Sequence, residues 1–551
     1  MSPRHVNAIV VGAGAGGGVV AKELSEAGLT VVVLERGGWV SFETYGQDEL
    51  INQRTTALGT AYGPDERHPR VAEDGGEWIT VGPTDYRYGN NAACVGSGTV
   101  SYGALAWRYM EKDFRMRSTY GAPEGSTLED WPIAYGDLEP FYEKAEWEVG
   151  VAGDMSANPF APPRRRSYPM PPFPLNREGR LLDAAARRLG FHPFPIPMLR
   201  NSVPYGGRGA CVHNRYCVGF ACPNNAKNGS QNTVIPRALA TGNCEVRTNS
   251  VVSEVVVDDH GFARGVTYFD ANDQRQYQTA DLVVLSGGAI ETARLLLNSK
   301  SRLFPSGAGN RYDWVGRNLQ GHAYSGATGQ FEDQVNDDVG PGATVGIGDF
   351  SHGNPGLRGG SVICNQFIRP PYAFSGQHAP GEPRWGKAHK DYQRRYFKRT
   401  VSVHGPVQEM PVFDLRVQVD PSVRDHWGIP VARLSGNHHP YDVEIGRFIA
   451  GKAEQWLKEA GATRTWTNVP ELVSASRGGQ HQAGTCRMGA DSKSSVTNKF
   501  GQVHDVDNLF IADGSLHVTN GGFNPALTIM ALGYWVGHQI TEGWRGGGRF
   551  R

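Results

Sequence analysis

The sequence predicts an α/β protein, with a Rossmann-like nucleotide-binding domain joined to a second domain of sheet plus helices. Three observations predict it. AIVVGAGAGGGVVAKELSEAGLTVVVLERGG, near the start, places two continuous apolar runs around a segment of helical spacing, the order strand, turn, helix, strand. DNLFIADGSLHVTNGGFNPALTIMALGYWVGHQI, near the end, gives a strand, a loop and a long apolar helix, so the same architecture resumes there. The chain of 551 residues also exceeds what one hydrophobic core ordinarily supports, so a second core must lie between.

Composition narrows the partners. Lys plus Arg equals Asp plus Glu at 55 each, so no global field draws the chain to nucleic acid or anionic lipid, and small molecules are expected instead. No apolar run approaches the roughly 18 residues of a membrane-spanning helix. The 7 cysteines are few and odd in number, which argues against a disulfide framework. MSPRHVNAIVVGAG shows no charged and apolar leader pattern, so a cytoplasmic location is expected.

Gly12, Gly14 and Gly17 spell GxGxxG between the first strand and its helix. Glu35 closes the second strand about twenty residues on, where an acid accepts hydrogen bonds from an adenosine ribose. Together they predict a dinucleotide site. NNAACVGSGTVSYGALAWRYMEKDF, within a loop-rich stretch over residues 40–130, offers small residues on which a flat ligand can lie, including Gly96, Gly98 and Ser101. From Trp131 a turn leads into an amphipathic helix with Asp137 as N-cap, and Arg164, Arg165 and Arg166 read as a solvated run. Residues 244–288 read as a β-meander feeding a buried strand, followed by the helix AIETARLLLNS. Over residues 320–475 the periodicity is weaker. One helix stands out at YDVEIGRFIAGKAEQWLKEAG, with His438 and His439 at its start, and one strand at VFDLRVQVD.

HQAGTCRMG contains His481, which taken alone reads as a loop histidine bonded to backbone. Its company changes that. GAGAGGG, VGSGTVSYGALAWR, SGGAIETARLLLNS, VGRNLQGH, HQAGTCRMG and DNLFIADGS...FNPALTIMALG occur in the order found in one family, and the chain resembles the glucose-methanol-choline (GMC) oxidoreductases over nearly its whole length. Within that family it is most similar to bacterial sugar and glycoside oxidoreductases and pyranose oxidases. The resemblance implies bound FAD, held by a discontinuous domain of residues 1–150, 201–320 and 480–551, with residues 151–200 and 321–479 forming the substrate-binding domain.

The resemblance also implies roles. His481 would take the hydroxyl proton of an alcohol while the carbon's hydride passes to flavin N5, work that suits imidazole because its pKa lies near neutrality. Asn524 falls at the second catalytic position. Followed by Pro525 and a helical run, it also reads as a helix N-cap, and the helix start would favour negative charge on the reduced flavin. Asp513 and Gly514 fall near the ribityl and pyrophosphate groups. Gly484 to Cys486 would bring backbone close to the cofactor, with Cys486 structural, and His504 and His517 are loop residues. Relatives that attach FAD covalently carry His and Trp where this chain has Ser101 and Tyr102, so noncovalent FAD is expected. Cys211, Cys217 and Cys222 resemble a three-cysteine run that holds an iron-sulfur cluster in some relatives, but the last spacing is one residue longer. A loop without metal is expected, with the cluster as the alternative. The function implied is oxidation of a hydroxyl of a sugar, glycoside or aminosugar, with oxygen or a quinone or other carrier as acceptor. An aminoglycoside-tailoring alcohol oxidase is the alternative, and a non-catalytic flavin-binding or electron-transfer subunit is the reading from another class.

Overall fold

In the strand Val6–Val11, residues Ala8, Ile9, Val10 and Val11 are small or β-branched and buried on both faces, which is what a central parallel strand requires. The computed structural model, describing residues 4–50, 62–89, 92–470 and 481–547, sets this strand between Val31–Leu34 and the C-terminal half of Arg275–Leu285, parallel to both. Cys244–Arg247 extends the sheet on one side and Leu509–Ile511 on the other. Val251–Val257 and Ala263–Phe269 form the antiparallel meander that leads into Arg275–Leu285, completing a seven-stranded sheet among the described residues. Asn90 and Asn91 of the small-residue stretch, and residue 480 at the expected domain boundary, lie outside the described residues.

Helix Ala15–Glu26 packs on this sheet, and helix Ala526–Arg545 packs against that helix. Their contact is close because Gly533 sits where a Cβ would fall 3.1 Å from Gly16 O, and Gly537 where one would fall 2.9 Å from Glu23 Cβ. The two ends of the sequence are thereby locked together around one core.

A second, antiparallel sheet of six strands runs Arg464–Asn468, Tyr324–Gln330, Thr400–Pro406, Ile363–Asn365, Val345–Ile347 and Pro193–Pro195. Helix Pro440–Glu459 packs Ile445, Ile449, Ala453 and Trp456 into its core, and Arg177–Arg188 adds Leu182, Ala185 and Ala186. His439 starts the longer helix, its Nδ1 accepting from Tyr441 N at 3.1 Å. A third sheet joins Arg416–Arg424 and Pro430–Ser435 to the hairpin Arg70–Asp74 and Glu77–Val81. That hairpin lies where only loop was expected, although the Asp74-Gly75-Gly76 turn marks it.

Two local expectations are corrected. Helix Tyr135–Ala145 starts at Ala134, and Asp137 sits inside its first turn, accepting from Ala134 N at 2.8 Å. Arg164 is not solvated. It is buried against Glu146 (3.2 Å), which also binds Arg108 (2.7 Å), while Arg165 is exposed as expected. A buried glutamate draws in a second guanidinium because its charge is costly without partners. Among the described residues no helix is long and apolar enough to cross a membrane.

Candidate active site

A cavity of about 620 Å³ runs from the glycine turn of the first sheet to the face of the second. Gly12, Gly14, Glu35, Gly98, His481, Asp513, Gly514, Asn524 and Pro525 all line it. Gly17, Gly96 and Ser101 stand behind its wall: a Cβ on Gly17 would collide with Gly12 O, and one on Gly96 would meet Gln231. Ser101 is buried, and its hydroxyl has no partner among the described residues. Gly12 has φ of +99°, which an L side chain adopts poorly, and the turn it makes opens onto the helix Ala15–Glu26.

The cavity suits a dinucleotide on three grounds. Helix Ala15–Glu26 and helix Ala526–Arg545 both begin at its wall, and neither has a side-chain cap, so their first N–H groups are left for an anion. A Cβ at Gly98 would meet nothing within 4 Å, so that glycine faces open space. Glu35 is held in place by Ala13 N (2.8 Å) and Gly37 N (3.0 Å), and burial pushes its carboxyl pKa up.

Asp513 is occupied more fully. It accepts from Gly288 N (2.8 Å), Thr292 Oγ1 (2.6 Å), Ser515 N (2.9 Å) and Ser515 Oγ (2.5 Å). It therefore ties the start of helix Ala289–Asn298 to the C-terminal motif, and burial raises its pKa. Asn524 does not cap its helix: Pro525 holds the cap position without a side-chain bond. Its Oδ1 accepts from Trp107 Nε1 at 2.9 Å, and its Nδ2 points to His481 Nε2 at 3.3 Å and Tyr324 Oη at 3.4 Å. The Trp107 bond fixes which end of the amide is oxygen.

His481 reaches this wall because Gln320 and Ala483 pair as a two-residue antiparallel bridge, their N–H groups exchanging bonds at 3.0 Å. The bridge sets His322 beside it, with Nδ1 to Nδ1 at 2.8 Å. His322 Nε2 lies 2.6 Å from both Asn520 O and Gly521 O. Carbonyls only accept, so His322 Nε2 carries a hydrogen. Burial lowers the pKa of His322 and keeps it neutral, so its Nδ1 is a lone pair. His481 must then donate from Nδ1, which leaves a lone pair on its Nε2, facing the Asn524 amide. Glu409 backs the loop, accepting from Gly321 N (2.9 Å) and Ala323 N (2.6 Å). An imidazole held in this state can accept a proton at Nε2.

His517 and His504 lie outside the cavity wall, bonded to Asn520 (3.3 Å) and Ser495 (2.8 Å). Gly484 and Cys486 also stand off it. Their N–H groups bond Gly514 O and Ser515 O, so this turn braces the C-terminal loop and only His481 and Gln482 of the motif reach the wall. The Cys486 thiol is buried and its pKa raised by that burial. Cys222 Sγ contacts Asn224 Oδ1 (3.2 Å), Cys211 Sγ accepts from His213 N (3.4 Å), and among the described residues no group of three His, Cys, Asp or Glu side chains is placed to hold a metal ion.

The chain is similar to known proteins over most of its length. Residues 172–324 and 415–533 match the GMC oxidoreductase family, and residues 10–72 match the NAD(P)-binding Rossmann-like domain. The chain is 30% identical to a 2-methyl-1,2-propanediol dehydrogenase of Mycolicibacterium austroafricanum, covering 98% of this chain and 96% of the relative. It belongs to the GMC oxidoreductase family. It is equally 30% identical to a gluconate 2-dehydrogenase flavoprotein of Pantoea cypripedii (98% and 94% covered) and to a 6'''-hydroxyparomomycin C oxidase of Streptomyces lividus (95% and 89%). Among solved structures, pyridoxine 4-oxidase of Mesorbium loti shares the fold, with a TM-score of 0.64 at 15% identity, covering 97% of this chain and 99% of that one. As a GMC oxidoreductase the chain is an enzyme acting on alcohol groups, with FAD as the family's cofactor. His322, Tyr324 and Trp107 are the site residues that the sequence reading did not single out. The first closes VGRNLQGH and the last lies in VGSGTVSYGALAWR, motifs quoted there without a role for these side chains.

Proposed function

We propose that this enzyme oxidises a hydroxyl group of a sugar, glycoside or related polyol, with His481 as the base. The observation that carries the reading is the pairing of His481 Nε2 with Asn524 Nδ2 at 3.3 Å on the wall of a cavity whose other end is the glycine turn. Gly12, Gly14, Glu35, Gly98, Asp513, Gly514 and the starts of helices Ala15–Glu26 and Ala526–Arg545 would hold FAD, without a covalent bond at Ser101 or Tyr102. Bound FAD supplies the hydride acceptor. The substrate hydroxyl enters between His481 and Asn524, taking the place of their mutual contact. His481 Nε2 accepts its proton, while Asn524 Nδ2 donates to the substrate oxygen and holds it there. His322 keeps Nδ1 of His481 protonated, so the proton has one place to go. Names of relatives support the substrate class: a diol, a sugar acid and an aminoglycoside are acted on by proteins alike over nearly their whole length.

The test is anaerobic mixing of FAD-loaded enzyme with a panel of sugars, sugar acids and diols, followed by reoxidation with oxygen or a quinone. Loss of the flavin's visible colour on mixing is expected, and the faster reoxidant identifies the acceptor. A panel that leaves the flavin oxidised would support a non-catalytic flavoprotein instead.

A further inference from the structure

We propose that His404, with Gln366 beside it, binds a second hydroxyl of the substrate, making an uncharged polyol rather than an amine-bearing sugar the class this cavity takes. The proposal rests on reading the site as an alcohol-oxidising one.

Placement comes from the second sheet. Tyr324 pairs with Pro406 and Gly326 with His404 in adjacent antiparallel strands, and Cys364 pairs with His404 from the other side. Residues directly opposite share a face, as do alternate residues along a strand. His404 therefore stands on the same face as Tyr324, roughly 7 Å along it. Tyr324 is the residue whose ring lies 5.8 Å from that of His481. Gly326 leaves room for the imidazole, since a Cβ there would collide with His404 Cδ2. His404, Gln366, Tyr324, His481 and Asn524 line one cavity.

Hydrogen bonding at this spot is incomplete. Neither ring nitrogen of His404 has a partner among the described residues, and Nε2 is shielded from water. Gln366 donates from Nε2 toward Cys364 O (3.4 Å) and His404 O (3.5 Å), and its amide oxygen accepts no hydrogen bond from the described residues. Burial, with the Arg369 guanidinium nearby, holds the pKa of His404 down at about 3, so the ring is neutral and offers one donor and one acceptor. A hydroxyl matches that pair. An ammonium, with three donors and no acceptor, does not.

The cavity's carboxylates are also taken. Glu35 binds Ala13 and Gly37 backbone, Asp513 has four donors, and Glu291 is bridged by Arg70 (2.6 Å) and Arg294 (3.3 Å). An amine-bearing sugar would find no free carboxylate on the described wall.

The experiment uses FAD-loaded enzyme, mixed anaerobically with glucose, fructose and 2-methyl-1,2-propanediol. The flavin-reduction rate constant and the substrate Kd are then measured for each probe and for its deoxy or amino analogue (2-deoxyglucose, glucosamine, 2-methyl-1-propanol). In wild type the polyol should bind about tenfold more tightly than the analogue lacking a hydroxyl, the size of one hydrogen bond at a desolvated site. His404→Phe should raise the polyol Kd by about tenfold and erase that preference, with the reduction rate constant changed far less. His404→Asn, which keeps a donor and an acceptor, should recover part of the preference. A preference that survives in His404→Phe, or glucosamine binding at pH 7 as tightly as glucose, would overturn the proposal. The wild-type comparison needs no variant, so it decides even if His404→Phe does not fold. If no polyol reduces the wild-type flavin, the alcohol-oxidising reading fails, whereas reduction with unchanged selectivity sinks only the second-hydroxyl site.

Discussion

Removing His322 should slow flavin reduction without loosening the cofactor, because His322 touches the reacting groups only through His481, its other nitrogen bonding the Asn520 and Gly521 carbonyls. Its own backbone has φ of +59°, a region asparagine tolerates, so His322→Asn changes the side chain with little strain. The shorter side chain withdraws the acceptor that stands 2.8 Å from His481 Nδ1. Tyr324 Oη, 3.3 Å from the same nitrogen, is then the longer alternative acceptor, and exchanging the 2.8 Å bond for it disfavours the reactive tautomer by about 1 kcal/mol. That free energy lowers the fraction of enzyme with the lone pair on Nε2 by about fivefold. Anaerobic stopped-flow reduction should show the loss in the rate constant for reduction, with substrate Kd and bound FAD as in wild type. A rate constant within about twofold of wild type would refute the tautomer argument.

Four further outcomes follow from the same geometry. His481→Ala should slow reduction by about 10²–10⁴-fold while FAD stays bound, measured in the same apparatus. Trp107→Phe removes the donor to Asn524 Oδ1 and frees the amide to flip, so the reduction rate should fall by about three- to tenfold with the melting temperature little changed. Gly98→Ala should fold, because its Cβ meets no protein atom, yet lose FAD on gel filtration because that Cβ fills the cavity; retained flavin would move the cofactor elsewhere. Burial holds the carboxyl of Glu178 at about 7 against an ordinary 4.5, so folded protein keeps a proton there that unfolded chain has shed. Its contribution is fully present below pH 4.5 and is lost as pH rises through 7, about 3 kcal/mol in all, so Glu178→Gln should flatten the fall in thermal stability between pH 5 and 8.

The sequence announced those parts of the molecule whose contacts are local. The first βαβ unit was legible because Ala8–Val11 and Val31–Leu34 are apolar throughout and the helix between them has its own period. The meander and the helices Ala289–Asn298, Pro440–Glu459 and Ala526–Arg545 were legible for the same reason. The hairpin Arg70–Val81 was missed, since its strands are half polar and pair with a strand some 360 residues away, at Arg433 opposite Val71. His481 and Asn524 were named from motif order, but what they do to each other depends on His322, Tyr324 and Trp107, which arrive through the Gln320–Ala483 bridge and the close approach of distant loops. His404 carries no motif at all. Only its register opposite Gly326 puts it in the cavity. Asn524 illustrates the limit most directly: Asn-Pro before a helix is a sound capping signal, and tertiary partners outbid the helix for its side chain.

The central claim is that His481, through Nε2, accepts the proton of a polyol whose oxidation reduces bound FAD. Anaerobic mixing of the wild-type enzyme and His481→Ala with the sugar, sugar-acid and diol panel tests it most directly. Rapid loss of flavin colour in wild type, slowed by at least about a hundredfold in the variant at equal FAD content, is the result predicted. Equal rates in the two proteins, or a wild-type flavin that every member of the panel leaves oxidised, would contradict it.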